Sequence, residues 1–235
     1  MVTNFDRGRA AKHEWLRSAL FRTWAAPAMY PLLRRVASEI PVVRGRLLDV
    51  RCGRGRLARE IAHARPALKV IAIDESRERL AIAGEVGSST NLEFRCACVE
   101  GAQFESEFDF ALSFLYFRRW EQPAAGLASV YQALRWGGRF WVYVPDREAT
   151  AEVLKADYEH VGPFPAPPPS ALRFIWGNRG FTRHELLSVV GPVVAATSFK
   201  DFTITPSGSM LRLEFVKQQA SREMSSHALD RSAAS

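Results

Sequence analysis

Apolar residues along this chain fall into short runs separated by stretches of helical period. RLLDV (46–50), KVIAID (69–74), LEFRCAC (92–98), FDFALSFL (108–115) and RFWVYV (139–144) read as strands. The segments 55–64, 76–86 and 123–136 read as helices, the last with Leu127, Val130, Tyr131 and Leu134 on one face and a stop at Gly137 and Gly138. Strands separated by helices of this length join in parallel through crossovers, so the pattern predicts an α/β fold with a doubly wound sheet.

The flanks read differently. Trp15, Leu16, Ala19, Leu20 and Trp24 lie at helical spacing, and Pro31 opens a second short helix carrying Leu32, Leu33, Val36 and Ile40. After residue 145 the alternation stops. VGPFPAPPPS (161–170) holds 5 of the 13 prolines and reads as an extended surface loop. FTRHELLSVV then starts a helix, with Thr182 and Glu185 at capping-box spacing, and apolar segments at 193–204 and 210–216 suit antiparallel strands at the sheet edge. The polar tail from Lys217 is expected to be mobile. With 235 residues and 47% hydrophobic content, a single domain over 1–216 is expected. Residues 1–45 and 146–180 would cap it and 217–235 would trail from it.

Composition excludes several classes. No stretch approaches the ~20 apolar residues of a membrane span, and the N-terminus lacks the apolar centre of a signal peptide, so a cytoplasmic protein is expected. Cys52, Cys96 and Cys98 are too few for a disulfide framework and read as small buried apolar residues. No CxxC or HExxH motif occurs, and no metal is expected. The net charge of +7 is concentrated at one end: residues 1–64 hold 13 Lys and Arg against 5 Asp and Glu. Such an end can face nucleic acid, anionic lipid or an acidic substrate, although a solvated helix surface is the preferred explanation.

The chemistry centres on LLDVRCGRG. Gly53 and Gly55 stand where the first strand turns into a helix, the place where backbone N–H groups and helix ends hold ligands in open α/β sheets. Asp74 closes the next strand 19 residues after Gly55, about where an acid accepts from ribose hydroxyls. Together these predict a nucleoside-containing cofactor. The GxGxxA at 53–58 would serve a nicotinamide dinucleotide as well; Asp49, an acid inside the strand, separates the cases.

LLDVRCGRG resembles the first motif of the class I S-adenosylmethionine-dependent methyltransferases, usually an acid between apolar residues followed by GxGxG. VIAIDES, FDFALSFLYFRRW and LASVYQALRWGGRFWVYVPD resemble the family's later motifs, and FTRHELLSVV with the two closing segments resembles its final helix and hairpin. Roughly residues 30–216 are covered. The resemblance implies a Rossmann-like, mostly parallel seven-stranded sheet with an antiparallel C-terminal hairpin and N-terminal helices. It implies S-adenosyl-L-methionine as cofactor, with contacts from Asp49, Arg51, Gly53, Gly55, Asp74, Glu75, Cys98, Val99, Ser113 and Leu115.

Departures from the family pattern bear on activity. Arg51 replaces the first glycine and must either turn away or enter the site, Arg54 replaces a small residue, and Cys98 replaces an acid that accepts from the adenine amino group. Losing that bond weakens cofactor binding by about 1.5 to 3 kcal/mol if it is buried. Arg118 and Arg119 stand where histidines are common, so no general base is evident; Tyr116 and Arg119 are the catalytic candidates. No NPPY follows the fourth strand, against nucleobase amino-methylation. Three functions follow: a methyltransferase acting on a small molecule, whose aromatic cap suits a planar or apolar acceptor; a methyltransferase-like binding or regulatory protein without turnover; and an NAD(P)-dependent enzyme. Nucleic acid is a less favoured partner for any of them, and oligomeric state is left open.

Overall fold

The computed structural model describes residues 15–87, 89–115, 117–160, 165–176 and 180–218, without the side chain of Arg119. Seven strands form one sheet in the order β3-β2-β1-β4-β5-β7-β6: β1 (Gly45–Val50), β2 (Leu68–Asp74), β3 (Leu92–Cys96), β4 (Phe108–Phe114), β5 (Leu134–Pro145), β6 (Phe202–Ser207) and β7 (Met210–Val216). β1 to β5 run parallel, and β7 is antiparallel to both β5 and β6. The helices are α1 (Tyr30–Glu39), α2 (Arg56–Ala64), α3 (Arg77–Glu85), α4 (Pro123–Ala133), α5 (Ala151–Ala156), α6 (Pro169–Trp176) and α7 (Arg183–Ala195).

The central strands are apolar on both faces because both are covered. Leu47, Val70 and Ala72 pack into a core with α1 and α2, while Leu48, Val50, Ile71 and Ile73 pack into a second core with α4 and α7. The sheet order reverses between β1 and β4, which opens a crevice at their carboxyl ends.

Several boundaries depart from expectation. α4 stops at Ala133, because Leu134 is already extended and joins β5. The paired glycines therefore sit inside β5, where the register with β4 shifts between Phe108 and Phe110 and Gly137 takes φ +79°. Residues 193–195 belong to α7 rather than to a strand, and α6 takes up the end of the proline-rich stretch. The leading helix, residues 15–20 followed by a π-type turn over Phe21–Ala25, leaves Trp15 67% exposed and buries Ala25, Ala28 and Met29 further on. Large aromatic residues suggested the wrong face there, since small ones allow the closest approach to the core. Lys217 is not loose: its Nζ donates to the Leu134 carbonyl at 2.8 Å and lies over the Tyr131 and Trp136 rings.

The capping box forms as its spacing predicts. Glu185 N–H donates to Thr182 Oγ1 at 3.2 Å and Thr182 N–H to Glu185 Oε2 at 3.0 Å. Thr182→Ala is expected to cost about 1 kcal/mol, which a melting curve would show as a fall of about 2 to 4 °C for a domain of this size.

Candidate active site

β1 ends at Val50 and the chain passes through Arg51 (φ 60°), Gly53 (φ 60°) and Gly55 (φ 67°) into α2. Only glycine adopts these left-handed torsions at little cost. At Gly55 a second reason applies, because a Cβ would run into the Phe94 ring. Cys52 N–H donates to the Ile73 carbonyl at 2.9 Å, and Gly53 N–H donates to Asp74 Oδ2 at 2.9 Å. The loop and the acid closing β2 are thus joined directly.

A cavity of about 430 Å³ lies beside this loop. Its floor is Asp49 with Phe114 and Leu115; the loop and the start of α2 form one side, and Arg79 and Ile82 of α3 another. Phe21, Met29 and Trp176 line it from the cap. Phe21 and Trp176 touch with ring centroids 5.4 Å apart, and the indole N–H of Trp24 donates to the Pro165 carbonyl at 2.7 Å. Of the aromatic residues in the two cap segments, 1–45 and 146–180, Phe21 and Trp176 line the cavity, Tyr158 is buried in the core and Trp15 faces solvent.

Asp49 is buried and its Oδ2 has no hydrogen-bond partner among the described residues. Burial, and then the neighbouring Asp74, push its pKa up to about 7. Ser113 of β4, which pairs with Val50, is fully buried, and its Oγ has no hydrogen-bond partner among the described residues. The Cys52 thiol is pushed up by burial, Asp49 and Asp74 and stays protonated.

The other end of the groove is closed. Arg51 is 7% exposed and holds Glu75 in a bidentate pair, Nη1 to Oε1 at 2.7 Å and Nη2 to Oε2 at 3.0 Å. Asp74 has no exposed side-chain surface. Its oxygens are taken by Gly53 N–H, Ser76 N–H and Arg79 Nη1 at 2.9, 2.9 and 3.4 Å. Neither Asp74 nor Glu75 lines the cavity. A ribose reaching these acids has to displace Arg79 and Arg51.

The remaining expected residues divide. Val99 is buried in the second core, and Leu115 (φ 70°) lines the cavity, its N–H held by the Tyr143 carbonyl at 2.9 Å. Cys98 is exposed, as is Cys96, and Cys52 only partly buried, which corrects their reading as buried apolar residues. Cys98 Sγ donates to Glu100 Oε2 at 2.6 Å, and Glu100 Oε1 is buried without a partner. Glu100 went unnoticed in the sequence because it stands two residues past the family position; its carboxylate nonetheless reaches back to Cys98. Arg118 stacks over Phe181, and Tyr116 and the Arg119 side chain lie outside the described residues.

Residues 47–138, from β1 to the glycines of β5, match the model of the methyltransferase domain family. The chain is similar to part of an uncharacterized protein from a Synechococcus strain, 30% identical over 135 residues, 55% of this chain and 32% of that protein. The chain thus spans about a third of that relative. Among solved structures, a putative S-adenosyl-L-methionine-dependent methyltransferase from Methanococcus maripaludis superposes with TM-score 0.67 at 14% identity, over 94% of this chain and 97% of that one. A plantazolicin methyltransferase in complex with a triazolic desmethylPZN analogue and SAH superposes with TM-score 0.58 at 14% identity, over 92% of each chain. The likeness shows the fold: a Rossmann-like seven-stranded sheet ending in an antiparallel hairpin. Among the described residues no helix is long and apolar enough to cross a membrane.

Proposed function

We propose that the protein is a cytoplasmic S-adenosylmethionine-dependent methyltransferase acting on a small molecule. The observation that carries it is the 430 Å³ cavity beside the Gly53–Gly55 loop, with the unpartnered, buried carboxyl oxygen of Asp49 at its floor. A buried acceptor of that kind suits the cationic end of the cofactor. The loop backbone and Leu115 would hold the amino-acid half. The nucleoside half would lie toward Asp74, Glu75, Cys98 and Val99, with Glu100 supplying an acid that Cys98 does not. When bound, the cofactor supplies an electrophilic methyl group. The chain's own part would be to hold the acceptor in line and limit water around it, with Phe21, Met29 and Trp176 of the cap lining that side of the space.

Calorimetric titration of the full chain with S-adenosylmethionine and S-adenosylhomocysteine tests this, with saturable heat expected from both. Silence from both at millimolar ligand ends the proposal. The closed Arg51–Glu75 pair favours a second reading, a methyltransferase-like binding protein without turnover; methyl transfer to any acceptor removes it. The nicotinamide reading gains nothing from the matched domain family. Nucleic acid stays a less favoured partner, since Arg34, Arg35, Arg46 and Arg51 of the basic end are ion-paired within the chain.

A further inference from the structure

The cavity lining carries an excess of positive charge. Arg51 and Arg79 are matched by Glu75 and Asp74, acids that lie outside the lining. Arg22, Arg54 and Arg56 also line the space, three cations against the two acids Glu78 and Asp49, the latter only part-ionised at neutral pH. Arg22 and Arg54 are exposed, and their guanidinium groups have no ion pair or hydrogen bond among the described residues. The rest of the lining is largely apolar, including Leu33, Leu57, Ile82 and Phe114.

We propose that the acceptor of this cavity is a carboxylic acid with an apolar body, its carboxylate set against Arg22 and Arg54 and its body against Phe21, Leu33 and Trp176. The inference rests on the methyltransferase reading and deepens it. A sulfonium donor entering a positively charged enclosure is opposed unless its companion brings negative charge. The planar guanidinium fork matches a carboxylate, and the apolar walls suit a hydrocarbon or aryl body. A carboxylate is also deprotonated at neutral pH, so it requires no general base. None of the described lining residues is a histidine, lysine or tyrosine. The volume lies within the range of small-molecule sites.

The test follows tryptophan fluorescence of the full chain, without cofactor, during titration with decanoate, decanol and decyl phosphate, with S-adenosylhomocysteine binding measured in parallel. Decanoate is expected to bind about tenfold or more tightly than decanol at low salt, and Arg22→Gln with Arg54→Gln is expected to erase that preference. Equal affinity for acid and alcohol, or binding of neither, overturns the inference whatever S-adenosylhomocysteine does. Tighter binding of the phosphate overturns the carboxylate assignment. Decanoate binding by protein that ignores S-adenosylhomocysteine upholds the acid site and removes the methyltransferase reading instead.

Discussion

Replacing Arg51 by glycine is expected to tighten S-adenosylhomocysteine binding by about 10- to 100-fold, the equivalent of the 1.5 to 3 kcal/mol carried by hydrogen bonds to a charged group. The Arg51 guanidinium is buried and bound through both Nη atoms to Glu75, next in sequence to Asp74, the acid expected to take the ribose. Ligand must break that pair before it can reach either carboxylate. Glycine removes the obstacle and frees Glu75 together. Folding stability should change little, because two effects oppose each other. Arginine at φ 60° costs about 1 to 2 kcal/mol that glycine avoids, while the lost pair involves a Glu75 side chain that is 44% exposed, and pairs of that kind are worth about 0 to 1 kcal/mol. Glu75→Gln separates obstruction from attraction: it weakens the pair but leaves the arginine in the groove. Calorimetry on the natural protein and both variants decides the matter, and an unchanged or weaker affinity in Arg51→Gly shows that the arginine does not stand in the way.

Asp49 carries the second large effect. Its pKa is raised from 3.8 to about 7 by burial and by Asp74, so between roughly pH 4 and 7 the folded chain holds a proton that the unfolded chain has released. A raised acid contributes stability at low pH and loses it as pH climbs through the folded pKa. At 1.36 kcal/mol per unit, the swing from this group is of the order of 4 kcal/mol. Asp49→Asn, which keeps the shape and cannot ionise, is expected to flatten that part of the profile and to be more stable than the natural protein at pH 8. Urea midpoints from pH 4 to 8 measure it, and parallel curves for the two proteins would rule out the raised pKa. The same carboxyl links to binding: a cationic ligand stabilises its ionised form, so affinity for S-adenosylmethionine rises with pH up to about 7 and then levels. Asn at this position removes the slope.

Much of the architecture was legible because α/β sheets announce themselves twice, in buried strands such as KVIAID and in the glycine turn between strand and helix. The capping box at Thr182 and Glu185 was legible for the same reason, as both partners lie within one turn. What sequence hid depends on distant neighbours. Helical spacing around Trp15 identifies a stripe but not its partner, and the chain buries Ala25 and Ala28 instead. Leu134 fits the apolar face of α4, yet pairing with Phe108 draws it into β5. At the site, the motif showed that Arg51 must either turn away or enter, and could not show which. The choice is made by Glu75, 24 residues on, which draws the guanidinium across the groove. Glu100 was passed over because family position pointed to Cys98, while the short helical turn at Val99–Gly101 brings the later acid back to it.

The cap joins parts of the chain that are made far apart. Trp24 bonds to Pro165, 141 residues later, and Phe21 meets Trp176. During synthesis the floor residues Phe114 and Leu115 come after Phe21 and Met29 but precede Trp176 by 61 residues, about 3 to 12 seconds at ribosomal speed. A nascent chain at that stage exposes Phe21, Phe114 and Leu115 together, and until translation passes Trp176 this greasy bowl is the surface a chaperone would meet.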